Sequence, residues 1–262
     1  MKKALQTLIL TGYRIVLATG IMRTSFGRGA YARCYHLYKR WFEAREIDHL
    51  RRLVHPGTSV IDVGANIGFF TLRFADWVSG PGRVIAIEPD QDNFVQLQRV
   101  VAQSGHGGIA DLYEGGAAET QGTSYLVRNP HHPADHRLGD HGVPITLYTI
   151  DGLLAERGWP PVSLIKIDVQ GAEVRVLKGA QETLRRLRPA LYVEIDDGAL
   201  AQGGFSAAEL IADLSGLGYD MFDPTDGPGG AALDAAAAAD RRAVLGYADF
   251  LFIARPAPVQ GR

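Results

Sequence analysis

Short apolar runs alternate along the chain with stretches of helical periodicity. Thr58 to Val63, Arg83 to Glu88, Val162 to Val169 and Ala190 to Ile195 are strand-length runs, and Ala110 to Gly115 forms a weaker one. Between them, Phe69 to Val78, Asn93 to Ser104 (with Asp90 as its cap), Ile150 to Glu156, Val174 to Leu187 and Ala207 to Leu217 carry helical spacing. Strands alternating with helices at these intervals predict an α/β fold, a mostly parallel sheet with helices on both faces. Tyr219 to Phe222 and Tyr247 to Ala254 are the last two strands. The Gly/Ala-rich insertion from Pro224 to Leu245 separates them in place of a clear crossover helix, which predicts an antiparallel hairpin at the sheet edge. Weak strand signals at 124–127 and 146–148 flank a polar loop. Residues 3–20 and 35–54 read as helices, the second broken by His55-Pro56-Gly57. The expected organisation is a helical extension over 1–55, an α/β domain over 56–256 and a tail over 257–262.

At 262 residues the chain suits one α/β domain with a small addition. Its single cysteine, Cys34, excludes an intrachain disulfide and a cysteine-rich zinc site, so a reducing cytoplasm is the default location. The net charge of −2 conceals an asymmetry: residues 1–55 hold 11 Lys/Arg against 3 Asp/Glu, a balance of +8, and the remainder is −10. These cations are dispersed among apolar residues, the pattern of solvated helix faces rather than of a polyanion-binding block. Arg14 interrupts the apolar start of the chain, which makes a poor signal peptide and is too short and polar to cross a bilayer. A helix packed on the domain is favoured there over one lying on a membrane surface.

The chemistry concentrates in two runs. The first is Val60-Ile61-Asp62-Val63-Gly64-Ala65-Asn66-Ile67-Gly68-Phe69-Phe70, with Glu88 closing the following strand twenty residues after Gly68. A strand, a glycine turn, a helix and a second strand ending in an acid present a nucleoside, the acid accepting from the ribose hydroxyls. A dinucleotide turn spaces its glycines G-x-G-x-x-G to seat a pyrophosphate. Here Asn66 replaces the middle glycine, and Asp62 precedes the turn where it could hold an ammonium group. Both favour a nucleoside with an amino-acid end and no phosphate, which describes S-adenosylmethionine.

The second run is Leu164-Ile165-Lys166-Ile167-Asp168-Val169-Gln170-Gly171-Ala172-Glu173. A lysine inside a buried parallel strand must meet a carboxylate, with Asp62 and Glu194 on flanking strands as candidates. Asp168 falls at the carboxyl end of its strand, where open α/β sheets bind ligands. Lys166 reads equally as a register-fixing salt bridge and as a catalytic group; for Asp168 function is the stronger reading.

With both runs in view the chain resembles the FkbM family of S-adenosylmethionine-dependent methyltransferases over roughly residues 55–255. Beyond the two runs the resemblance is carried by Ala86-Ile87-Glu88-Pro89, Val176-Leu177-Lys178-Gly179-Ala180, Tyr192-Val193-Glu194-Ile195 and Asp249-Phe250-Leu251-Phe252-Ile253. It implies a seven-stranded Rossmann-like class I methyltransferase fold and methylation of a hydroxyl oxygen on a sugar, glycan or natural product. The expected cofactor set is Asp62, Gly64, Ala65, Asn66, Gly68, Glu88, Pro89 and Ala117. The expected catalytic set is Asp168 as positioning group or base, Lys166 tuning its charge, and Glu194 or a loop histidine as alternative base. No metal is expected: His131, His132, Asp135, His136, Asp140 and His141 lack the spacing of a helical ligand pair and read as a polar loop. Two rival functions are a nucleic-acid methyltransferase, which the basic front end favours but the absence of an aromatic-rich basic platform opposes, and a silent scaffold that keeps the cofactor fold.

Overall fold

A computed structural model describes residues 44–128, 136–243 and 246–256. The helix expected at 3–20, the front of that at 35–54 and the tail lie outside them. The described chain begins with α1 (Ala44–Leu53), β1 (Ser59–Val63), α2 (Phe69–Trp77), β2 (Val84–Glu88), α3 (Gln91–Ser104) and β3 (Ala110–Glu114). Four strands then lie outside the main sheet or at its margin: β4 (Gly116–Ala117), β5 (Gly122–Val127), β6 (Arg137–Gly139) and β7 (Val143–Tyr148). The second half runs α4 (Ile150–Ala155), β8 (Val162–Ile167), α5 (Glu173–Lys178), α6 (Gln181–Arg186), β9 (Ala190–Asp196), α7 (Asp197–Gln202), α8 (Ala207–Gly216), β10 (Tyr219–Phe222), β11 (Ala232–Leu233), α9 (Ala235–Arg242) and β12 (Tyr247–Ala254).

The main sheet has the order β11-β10-β12-β9-β8-β1-β2-β3. The five strands from β9 to β3 are parallel, and β12 enters antiparallel between β9 and β10. Every residue of β1, β2 and β8 is buried, as parallel strands covered on both faces require. The doubly wound architecture and the antiparallel edge pairing follow the hydropathic pattern. The strand count does not: β11, two residues inside the insertion, pairs with β10 and makes an eighth strand instead of seven.

Three further expectations change. The weak strand signals near 124 and 146 belong to a separate four-stranded sheet, β4-β7-β5-β6, with its own small core of Ala118, Leu126, Ile145 and Leu147. The single helix at 174–187 is two, because Gly179 is pressed against the Ala118 carbonyl, where a Cβ would not fit. Asp151 completes the break: its N–H donates to the Gly179 carbonyl (2.9 Å), and its carboxylate accepts from the amides of Glu182 and Thr183 (2.9 Å each) at the start of α6. The insertion also contains a helix after all. Asp234 caps α9 by accepting from the Ala237 amide (2.8 Å), and the run Ala235 to Ala239 has the highest intrinsic helix propensity available.

Candidate functional site

The carboxyl ends of β1, β2 and β8 meet at one place, and the glycine turn after β1 is its floor. Gly64 has φ +75°, and a Cβ there would lie far inside van der Waals contact of the Asp168 carbonyl oxygen. The turn after β1 and the start of the loop after β8 thus touch backbone to backbone, which only glycine permits. Asn66 also adopts a left-handed conformation (φ 49°), stabilised by its own side chain, whose Oδ1 accepts from the Ile67 amide at 2.7 Å. Gly68 (φ +90°) starts α2, and a side chain there would press on Leu97 and Val100 of α3.

Lys166 joins the two halves. The sheet register sets it directly beside Asp62. Its ammonium lies 3.3 Å from Asp62 Oδ1 and 3.3 Å from Asp168 Oδ2, and it donates to the Gly64 carbonyl at 2.8 Å. Of the two carboxylates expected to meet Lys166, Asp62 is the cross-strand neighbour; Glu194 stands on β9 beyond Tyr192, the residue that register places opposite Lys166. Gln170 Nε2 donates to Glu194 Oε2 at 3.4 Å. Lys166 is 2% exposed and packs 5.4 Å from the Phe70 ring centre, so it lies behind the surface of the site. Asp62 is wholly buried, its Oδ2 accepting from Thr71 Oγ1 at 2.7 Å. That is not the open position that holding an ammonium group asks for. Asp168, with its side chain 28% exposed, is the member of the trio that reaches solvent.

Glu88 forms the other wall. It is 4% exposed and accepts from the Asn66 amide (2.8 Å), the Asp90 amide (3.0 Å) and Asn93 Nδ2 (3.3 Å). Burial pushes its pKa up to about 7, against the pull of these donors. Two carboxylate oxygens offer about four acceptor positions, so three bonds leave room for a hydroxyl donor, and the Asn93 amide, the longest of the three, is the one a second hydroxyl would displace. The residues present therefore fit a ribose diol. Pro89 follows Glu88 directly, Ala65 donates its amide to the Ile87 carbonyl (3.0 Å), and Ala117 is buried on β4.

Asp90, absent from the expected site, ties the second sheet to this wall. Its Oδ1 caps α3, accepting from Asp92 (3.0 Å) and Asn93 (3.1 Å), while Oδ2 meets Arg128 Nε (2.7 Å) and His136 Nε2 (3.4 Å). No sequence signal pairs these residues, because the contact depends on where the second sheet docks. The other described loop histidine, His141, is exposed and pairs with its neighbour Asp140. His131, His132 and Asp135 lie outside the described residues. Among the described residues no group of three or more His, Cys, Asp or Glu is placed to hold a metal.

Glu173, first residue of α5, is 1% exposed; its Oε1 accepts from the Gly171 amide (3.2 Å) and its Oε2 is buried without a partner. Burial, with the nearby Asp168 and Asp196 carboxylates, pushes its pKa up from 4.5 to about 8. The native state therefore holds a proton that the unfolded chain has lost, and stability falls as pH rises from 4.5 to about 8, then levels. Glu173→Gln removes that slope. In urea denaturation series, the stability difference between variant and parent should move in the variant's favour by on the order of 2–4 kcal/mol between acid and mildly alkaline pH. A difference independent of pH would show that Glu173 ionises normally.

This doubly wound sheet, with an antiparallel strand beside β9 and an acid closing β2, carries the sequence match of an S-adenosylmethionine-dependent methyltransferase. Residues 62–221 match the methyltransferase FkbM domain, and the chain belongs to that family. The 2-O-methyltransferase NoeI of Sinorhizobium fredii is 30% identical over 168 residues, covering 58% of this chain and 68% of its own. The 31-O-demethyl-FK506 methyltransferase FkbM of Streptomyces tacrolimicus is 31% identical over 208 residues, 66% of this chain and 76% of its own. Among solved structures, methyltransferase FkbM from Methylobacillus flagellatus KT aligns with a TM-score of 0.47 at 18% identity, over 76% of this chain and 44% of that one. No helix among the described residues is long and apolar enough to cross a membrane.

Proposed function

We propose that the protein transfers a methyl group to a hydroxyl oxygen of a sugar, glycan or other hydroxylated natural product. The observation that carries this reading is the junction at Gly64, where the nucleoside wall closed by Glu88 and the solvent-reaching Asp168 are held in one frame by Lys166. Two relatives named for O-methylation, NoeI and FkbM, support it.

When bound, the cofactor would supply a methyl group on a sulfonium, whose C–S bond breaks as the O–C bond forms and whose neutral thioether leaves as S-adenosylhomocysteine. The chain's residues bind, align and handle the proton. Glu88 accepts the ribose hydroxyls, with the backbone from Gly64 to Gly68, and Ala65, Pro89 and Ala117 around it, shaping the nucleoside seat. Asp62 acts through Thr71 and Lys166, fixing the ammonium rather than touching ligand. Asp168 orients the acceptor hydroxyl and takes its proton as the O–C bond forms, and Glu194, near Gln170, stands as the alternative base. Screening a panel of sugars, glycans and polyketide alcohols for a gain of one methyl group, with labelled S-adenosylmethionine, tests the class. Transfer to nitrogen or carbon, or to RNA, would overturn it.

Cofactor binding should follow Glu88. Glu88→Ala is expected to weaken S-adenosylhomocysteine binding by at least about tenfold in calorimetry. Because the carboxylate accepts hydroxyl bonds best when ionised, parental affinity should rise as pH passes through about 7 and then level, whereas Glu88→Gln should lack this rise. Parental affinity in Glu88→Ala would refute the ribose role.

A further inference from the structure

Beyond β10 the insertion folds back over the same edge of the sheet as Asp168. Register fixes its place: Phe222, the last residue of β10, lies opposite Leu251, Leu251 opposite Tyr192, and Tyr192 opposite Lys166. Three strand spacings separate it from Lys166, about 14 Å across the sheet. Asp223 then orders the next turn, accepting from the amide (2.8 Å) and hydroxyl (2.6 Å) of Thr225 while pairing with Arg241 of α9. Gly227 (φ +64°) packs against the ring of His49 on α1 so closely that a Cβ would overlap it. Between α1 and this loop lies a cleft of about 540 Å³, within the range of small-molecule sites.

Its lining has a definite chemistry. Arg52 and His49 offer donors, Asp226 and the Thr225 oxygen offer acceptors, and Pro228 offers an apolar face. Arg52 and Asp226 cancel in charge, so the cleft does not select an anion. Matched donors and acceptors around an apolar surface suit sugar hydroxyls, each of which both donates and accepts, above a ring's C–H face. Gly229 is one of the lining residues, and a Cβ there would meet nothing within 4 Å, so a large side chain can be introduced at the cleft without a clash.

We propose that this cleft is a distal acceptor subsite that binds neutral sugar residues of an extended glycan while the reacting hydroxyl sits at Asp168. The proposal rests on the O-methyltransferase reading and deepens it. The test is binding of the full chain, with S-adenosylhomocysteine present, to an array of neutral and acidic oligosaccharides, beside Gly229→Trp and Arg52→Ala. Neutral glycans should bind the parent and lose at least about tenfold in affinity in both variants, with S-adenosylhomocysteine affinity unchanged. Absence of neutral-glycan binding, binding only to acidic glycans, or equal binding by both variants would overturn the subsite. Methyl transfer to a glycan that ignores both variants would remove the subsite and leave the activity standing. Cleft-dependent glycan binding with no hydroxyl ever methylated would do the reverse.

Discussion

Lys166→Met is expected to destabilise the protein by about 3–5 kcal/mol, the cost of breaking a buried ion pair by removing one partner. Asp62 is wholly buried, and its Oδ1 has no hydrogen bond besides the 3.3 Å ion pair to Lys166. Without the ammonium that carboxylate must keep an uncompensated charge or take up a proton, and the Gly64 carbonyl loses its donor at the same time. A loss of this size is a large share of the roughly 5–15 kcal/mol that holds a typical domain together. Urea denaturation measures it. The double variant Asp62→Asn with Lys166→Met should recover much of the loss, because the substituted amide is neutral and its oxygen can still accept from Thr71. A single-variant cost below about 1 kcal/mol would mean that Lys166 carries no structural role.

Asp168→Asn should leave that frame standing and remove the chemistry. Lys166 keeps Asp62 and the Gly64 carbonyl, and the Asp168 carbonyl still packs on Gly64, so folding and S-adenosylhomocysteine affinity should stay within about twofold of the parent. Turnover should fall by about 10²–10⁴-fold, the usual contribution of a positioned proton acceptor. Single-turnover transfer to the acceptor found by screening separates the two effects. A turnover loss matched by an equal loss of cofactor affinity would reassign Asp168 to binding, and full activity would pass the proton to Glu194.

Most of the parallel sheet was legible because its strands are buried on both faces and so read as apolar runs with clear ends. The lysine in β8 was legible for the converse reason: a charge in such a run must be paired, and register supplied Asp62. What escaped depends on docking between distant segments. Arg128 and His136 reach Asp90 only because the second sheet lies against the end of β2 and the start of α3. The break between α5 and α6 depends on Gly179 meeting the Ala118 carbonyl, a contact with no local periodicity. The helix α9 was overlooked for another reason: its alanines lack an amphipathic pattern, although their intrinsic propensity is high. Glu173 escaped as well, since an acid at the first position of a helix ordinarily reads as a favourable charge at the dipole's positive end rather than as a buried carboxyl.

The place of β12 has a consequence for synthesis. The last described strand in sequence is an interior strand in space, inserted between β9 and β10. A nascent chain that has emerged only as far as residue 246 presents both of those strands with an unpaired edge. Such edges recruit other chains. The sheet can close only when Tyr247–Ala254 leaves the ribosome, so translational stalling within the insertion, or truncation ahead of β12, would expose an aggregation-prone intermediate even though the whole glycine turn and the Asp168 strand had already been made.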